Sequence, residues 1–323
     1  MNHGSILIVG GAGYIGSHLA LHLHDRGIPF AILDNLEQGF TQGLPVDVLR
    51  ADLRRPDQLD AALAQGQFET IFHFAAYTEV GDSARRPASF SENNIAGTIN
   101  LLSAAVRHGA KRVIFSSTCA TYGEPTYLPL DEQHPQAPIN HYGWTKLVVE
   151  RILEQYRQEH GLAYAALRYF NAAGADLAGR RGERHNPETH LIPLVIQAAL
   201  GRRGPIKVNG TDYPTPDGTC IRDYIHVDDL ADAHRRAADA LDPGEARFYN
   251  LGTGSGHTVG EVIRTVEEVS GRPVPHELGP RREGDAARLV AANDKARREL
   301  GWEPRVSFRT IIESAWRWHE REQ

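Results

Sequence analysis

The chain has 323 residues, 24% of them charged and 41% apolar, a composition that supports a sizeable folded core and excludes a disordered protein. A formal net charge of −6 leaves no basic surface for nucleic acid, and no apolar run is long enough to span a bilayer. Two cysteines, Cys119 and Cys220, are too few for a disulfide framework and wrongly spaced for zinc; the sixteen histidines are scattered without an HExxH pair, so no metal site is expected.

Met1-Asn2-His3-Gly4-Ser5 enters a strand-like run directly, with no signal-peptide organisation, and a cytoplasmic protein is expected. Ile6-Leu7-Ile8-Val9 leads into a glycine-rich turn and then an apolar helical pattern over 14–26, ended by Gly27. Further short apolar runs follow at Phe30-Ala31-Ile32-Leu33, Thr70-Ile71-Phe72-His73-Phe74, Arg112-Val113-Ile114-Phe115-Ser116 and 163–169. Helical patterns over 56–64, 91–108 and 142–160 separate them. Buried strands alternating with helices predict an α/β fold, a Rossmann-type doubly wound parallel sheet. Beyond Asn171 glycine, proline and charge become dense, and turn signals recur at Asn209-Gly210 and Pro216-Asp217-Gly218. The expected division is a dinucleotide-binding domain over 1–171 and a smaller C-terminal α/β substrate lobe over 172–323, with 223–251 returning to the first domain. A last helix over 308–321 aligns Ile311, Ile312, Ala315, Trp316 and His319 on one face, as core packing would.

The turn Gly10-Gly11-Ala12-Gly13-Tyr14-Ile15-Gly16 follows the first strand and opens the first helix. Gly10, Gly13 and Gly16 allow a tight turn, close backbone approach to a diphosphate, and close helix–strand contact. The helix N-terminus adds free N–H groups and partial positive charge. Asp34 closes the second strand, where a carboxylate binds the adenosine ribose and repels a 2′-phosphate. No arginine follows in Asn35-Leu36-Glu37-Gln38, so NAD is expected over NADP.

The G-x-x-G-x-x-G spacing resembles the extended short-chain dehydrogenase/reductase family, which asks for a Tyr-x-x-x-Lys pair after the fourth strand. Tyr142-Gly143-Trp144-Thr145-Lys146 supplies it, with both side chains on one helical face. Bringing a phenol from its ordinary pKa of about 10 to near neutrality takes about 4 kcal/mol. An ammonium some 5 Å away at an effective dielectric near 20 contributes on the order of 3 kcal/mol, and an oxidised nicotinamide ring adds to it. On paper these are sufficient. Thr118, following the fourth strand, offers a hydroxyl to the reacting oxygen and to Tyr142.

Longer stretches narrow the resemblance, above all Arg222-Asp223-Tyr224-Ile225-His226-Val227 and Arg281-Arg282-Glu283-Gly284-Asp285. From residue 5 to the end the chain resembles the UDP-glucose (UDP-galactose) 4-epimerases. The resemblance implies a retained NAD, a transient 4-keto sugar, and Tyr142, Lys146 and Thr118 as catalytic residues. It also implies cofactor contacts from Tyr14, Ile15, Asp34, Asn35, Asp52 and Leu53, and from Phe74, Ala75, Ala76, Asn94, Tyr142, Lys146 and Phe170. Thr118, Tyr142, Asn171, Arg222, Arg282 and Asp285 would hold the UDP-sugar, and the protein would be a homodimer joined through the helices at 94–108 and 142–160. Three positions depart from the pattern. Thr78 replaces a lysine, His190 stands beside the substrate where asparagine is common, and Leu289 replaces a bulky tyrosine. The smaller Leu289 leaves room for UDP-N-acetylhexosamines. Cys119-Ala120 lacks the carboxylates that dehydratases or decarboxylases of this fold carry, whereas a 4-epimerase of UDP-xylose and UDP-arabinose stays open. A non-catalytic NAD sensor commonly loses the tyrosine or lysine, and this chain keeps both.

Overall fold

In the computed structural model, which describes residues 5–282 and 285–322, the apolar runs of the first half become parallel strands. With Val48–Arg50 and Ala246–Leu251 they form one seven-stranded sheet in the lateral order Ala246–Leu251, Ala163–Tyr169, Arg112–Thr118, Thr70–His73, Ile6–Val9, Ala31–Asp34, Val48–Arg50. Every pairing in it is parallel. The chain leaves Ile6–Val9 toward one edge and returns on its other side with Thr70–His73. Connections therefore diverge between these two strands, and a crevice opens beyond their carboxyl ends.

Strand side chains alternate between two apolar layers: Leu7 and Val9 enter one, Ile8 the other. Helices Tyr14–His24 and Val227–Asp239 cover the Ile8 side through Leu19, Leu23, Leu230 and Ala233. Helices Pro56–Leu63, Gly97–Arg107 and His141–His160 cover the opposite side through Leu59, Leu101 and Val149. Both faces are thus buried, which explains why these strands read as continuous apolar runs.

Residues beyond 171 come back to this sheet. Tyr224–His226 pairs with Asn171–Ala173, helix Val227–Asp239 packs on helix Tyr14–His24, and Ala246–Leu251 takes the sheet edge. The remaining C-terminal elements enclose a core of their own. Helices Leu191–Ala199, Val259–Ser270 and Phe308–Arg321 meet there through Ile196, Val262, Val266, Ile312 and Trp316, beside the parallel pair Ile206–Asn209 and His276–Gly279. The expected stripe of the last helix is buried throughout, from Ile311 to His319.

Two features differ from the sequence reading. Val48–Arg50 is a sheet strand that no periodicity announces, because it has three residues at an edge and none fully buried. The helix expected over 91–108 opens as a π-helical segment, Ser91–Ala96, before continuing as Gly97–Arg107. The wider turn places Asn93 and Asn94 inside, where Asn94 bonds both backbone groups of Tyr77.

His18 ties the two lobes together. Its buried ring accepts the Asp176 N–H at Nε2 (3.1 Å) and sits 2.8 Å from the Tyr14 carbonyl at Nδ1. Accepting at Nε2 requires a neutral ring whose Nδ1 donates to Tyr14. Burial accordingly lowers its pKa to about 4. Buried His226 and His234 are also lowered to about 4, again chiefly by burial. A depressed folded-state pKa means that the unfolded chain takes protons first, so stability is lost as pH falls from 6.5 toward 4. We expect denaturant unfolding at pH 5 to show lower stability than at pH 7.5. His18→Gln, which can still accept from Asp176, should lose about 2 kcal/mol less over that interval. Equal losses in the two proteins would show that His18 is not neutral in the fold.

Candidate active site

The crevice deepens into a cavity of about 750 Å³ between the two lobes. At one end lies the glycine turn. Gly10 has φ +79°, and a Cβ there would fall 2.5 Å from the Ala75 amide nitrogen; a Cβ on Gly16 would fall 2.4 Å from the Gly10 carbonyl oxygen. Only glycine fits at either place. Gly13 caps helix Tyr14–His24 without any side-chain hydrogen bond, which leaves the first-turn N–H groups facing the cavity for an anion.

Asp34 is buried at the end of its strand and accepts the N–H groups of Ala12 (3.0 Å) and Leu36 (2.8 Å). Burial raises its pKa, and those two bonds oppose the rise. Beside it, Arg54 is engaged by Asp52, Glu37 and Tyr77, and Arg181 spends its guanidinium on the carbonyls of Ala12, Phe40 and Gln42. The Asp34 end thus presents carboxylates, with these two arginines already committed. That donor set fits NAD and disfavours an extra phosphate.

Thr118, Tyr142 and Lys146 lie near the carboxyl ends of the central strands. Asn140 caps helix His141–His160 by accepting Gly143 N–H at 2.8 Å. A Cβ on Gly143 would lie 2.4 Å from Ala120 O, so this glycine lets the helix start close against the turn after Thr118. Tyr142 reaches the cavity there, with Thr118 beside it. Burial pushes the Tyr142 phenol well above 10, and the Thr118 side chain works against that rise. Lys146, one turn on, is buried: its Nζ donates to Ser116 O (2.7 Å) and lies 5.9 Å from the Tyr142 ring centroid. Burial lowers its pKa to about 7, while Glu150 pulls it up.

At the far end Arg222 donates to the carbonyls of Ile221 and Ala286 and stands 3.3 Å from Asp285. Arg282 is largely exposed, 3.9 Å from the same carboxylate. Leu289 and Asn171 complete this wall. Glu283 and Gly284 of the motif around Arg282 lie outside the described residues.

Most of the expected site residues line this one cavity: Gly10, Gly13, Tyr14, Ile15, Gly16, Asp34, Asn35, Leu53, Phe74, Ala75, Ala76, Thr118, Tyr142, Phe170, Asn171, His190, Arg222, Arg282, Asp285 and Leu289. Three do not. Asp52 turns to Arg54 and Asn35, Asn94 clamps Tyr77 and Thr145, and Lys146 lies beneath the floor. Each is one layer back, where it can position a lining residue.

Two buried arginines were not anticipated. Arg181 lies in the glycine- and charge-rich segment, where nothing distinguishes it from a surface arginine. Arg168 forms a paired contact with Glu150 (2.9 and 2.7 Å), and Glu150 also accepts Ser117 Oγ (2.6 Å) and Gln136 Nε2 (3.1 Å). Glu150 had a legible signal, since it follows Lys146 by four on the same helix. A second surprise concerns metals: Glu183, His185, Glu188 and His190 converge at the cavity rim, although the chain-wide scatter of histidines predicted no metal site.

Comparison with known proteins agrees with this geometry. The profile of the NAD dependent epimerase/dehydratase family matches residues 6–252. The UDP-glucose 4-epimerase of Rhizobium meliloti (strain 1021) is 54% identical, over 99% of this chain and 98% of its own. The crystal structure of UDP-glucose 4-epimerase from Brucella ovis in complex with NAD is 44% identical with a TM-score of 0.93, covering 97% of each chain. The structure of the UDP-Glc/GlcNAc 4-epimerase from Campylobacter jejuni is 38% identical with a TM-score of 0.86, covering 98% of this chain and 99% of its own.

The Glu150–Arg168 pair joins helix His141–His160 to strand Ala163–Tyr169 directly beneath Lys146. Removing one charge leaves the other buried and unpaired, which costs roughly 3–5 kcal/mol. Glu150→Gln should lose that much stability in denaturant unfolding; a loss below about 1 kcal/mol would place the pair among weak surface-like ion pairs.

Proposed function

The chain belongs to the NAD dependent epimerase/dehydratase family, and from that premise we propose that it is an isomerase interconverting UDP-glucose and UDP-galactose through a transient 4-keto sugar. The observation that carries the reading is a single cavity with a glycine cradle and Asp34 at one end, arginines at the other, and Tyr142 and Thr118 between them. The full-length similarity to UDP-glucose 4-epimerases supports the same substrate.

Gly10, Gly13, Gly16 and the bare start of helix Tyr14–His24 would take the diphosphate of NAD, and Asp34 its adenosine ribose. Bound NAD supplies the acceptor and donor of a hydride at the sugar C4. Tyr142, as phenolate, takes the proton from the 4-hydroxyl when the ketone forms and returns it to the same oxygen when the alcohol is restored. Thr118 donates a hydrogen bond to that oxygen as charge develops on it. Lys146 as an ammonium below the phenol favours the phenol's ionised form. Asn171, Arg222, Arg282 and Asp285 anchor UDP, so that the ketose can turn over and present its other face. Guanidinium groups suit that task because they grip phosphate with paired, charge-assisted hydrogen bonds.

Leu289, beside Arg222 in the cavity wall, is only partly buried, a setting that extends the reading to UDP-N-acetylhexosamines. The similar Campylobacter jejuni protein, described as acting on both Glc and GlcNAc forms, supports this extension. The reading also includes a cytoplasmic homodimer. Ile99 and Trp144, 39% and 44% exposed, project from the two helices expected at its interface. Among the described residues no helix is long and apolar enough to cross a membrane.

Purified protein given UDP-glucose without added NAD should form UDP-galactose. UDP-N-acetylglucosamine should also turn over, and chromatography with UDP-xylose in parallel ranks the sugars. Tyr142→Phe should keep bound NAD and lose about 10²–10⁴-fold in kcat. Bound NAD with no turnover of any sugar would favour a sensor, and near-normal turnover in the variant would remove Tyr142 from its role.

A further inference from the structure

The segment 183–190 bends so that four side chains, spaced Glu183-x-His185-x-x-Glu188-x-His190, point their donor atoms at one another. One ligand atom from each lies within 4.8 Å of all the others. His185 Nδ1 is 3.3 Å from Glu183 Oε1 and 3.7 Å from Glu188 Oε2, and His190 Nδ1 is 3.6 Å from Glu188 Oε1. The fourth contact, His190 to Glu183, is closer still.

These separations bring all four donors within reach of one metal ion. Zinc bonds of about 2.0–2.2 Å in a tetrahedron place neighbouring donors roughly 3.3–3.6 Å apart, and three of the four His–Glu separations fall at or near that spacing. His185 Nδ1 is buried and has no hydrogen-bond partner despite its distance to Glu183. A buried ring nitrogen in that state is costly unless something else binds it.

The segment is held from behind. The Glu188 carboxylate accepts the N–H groups of Thr189 (2.8 Å) and His190 (2.9 Å) at Oε1, and Trp318 Nε1 donates to the backbone carbonyl of Glu183 at 2.9 Å, which fixes the main chain there. Both carboxylate side chains are almost fully enclosed, at 4% and 5% exposure. Such outer bonds fix ligand direction before any ion arrives.

We propose that Glu183, His185, Glu188 and His190 form a closed four-ligand site for one Zn²⁺ ion at the rim of the cavity. Two imidazole nitrogens and two carboxylate oxygens select a borderline transition metal over Ca²⁺ or Mg²⁺, which take oxygen alone. With four protein ligands the ion has no open position, so its part is to brace the segment 183–190 against the last helix. Binding requires only that the His190–Glu183 contact open slightly to admit the ion.

The test uses the full-length protein with its bound NAD, dialysed against EDTA and then freed of chelator. Titration with Zn²⁺ against a chromophoric competitor should give one ion per chain with Kd below about 1 μM. His185→Gln and Glu188→Gln, each checked for native circular dichroism and NAD content, should weaken binding at least about 100-fold. Co²⁺ in the same site should show the intense visible bands of a tetrahedral centre. No binding tighter than about 100 μM, affinity unchanged in both variants, or the weak bands of octahedral Co²⁺ would each overturn the proposal.

Discussion

A lysine amine buried beneath a phenol sets the terms for the rest of the site. Lys146 gives up water for a single carbonyl, Ser116 O, and the face of Phe115 at 4.8 Å. Burial pulls its pKa down to about 7 and pushes Tyr142 up, so both groups tend toward neutrality when taken singly. Charged together as ammonium and phenolate, they attract. For charges roughly 5–6 Å apart at an effective dielectric near 20 that attraction is about 3 kcal/mol, about a hundredfold in the ionisation constant. For a phenol of ordinary acidity the lysine supplies most of what is required. Burial starts the phenol higher, so a larger share falls to the positive charge that oxidised NAD brings. The phenolate is therefore well populated only in a loaded site, which couples ionisation of Tyr142 to the presence of the oxidant.

The buried amine also explains the architecture around it. Glu150 lifts the pKa of Lys146, and Arg168 holds Glu150 in place. Ser117 from one strand and Arg168 from the next meet on the same carboxylate, so the helix carrying Tyr142 is locked to the central sheet. The cavity above then depends on the sheet's reversal between Ile6–Val9 and Thr70–His73. Glycines 10, 13 and 16 lie at one side of that reversal and Thr118 at the other. The second lobe supplies the remaining wall, anchored through His18 and Arg181 on the first.

How much of this was legible depended on whether a residue's signal was local. The strand Ala163–Tyr169 and the helix Phe308–Arg321 have the bounds expected, because burial and amphipathicity write themselves into short periodicities. The glycine turn and the Tyr142–Lys146 spacing were legible for the same reason. Val48–Arg50 was hidden by its brevity, and the π-helical turn at Ser91–Ala96 by a period too close to that of an α-helix. Arg181 and the Glu183–His190 cluster were invisible for another reason: their partners are set by how the second lobe closes on the first or by the path of one irregular segment. Lys146 illustrates both cases. Its position was legible, but its retreat beneath the cavity floor depends on packing.

The most direct measurement of the central claim is the ionisation of Tyr142 in protein carrying its NAD, read by NMR of ¹³Cζ-tyrosine and assigned with the phenylalanine variant. The account predicts titration below about pH 8 in the native chain and a fall of about a hundredfold in ionisation constant, an upward shift of the titration, in Lys146→Met. A phenol that stays protonated above about pH 10 in the native protein, or one indifferent to the loss of the amine, would contradict it.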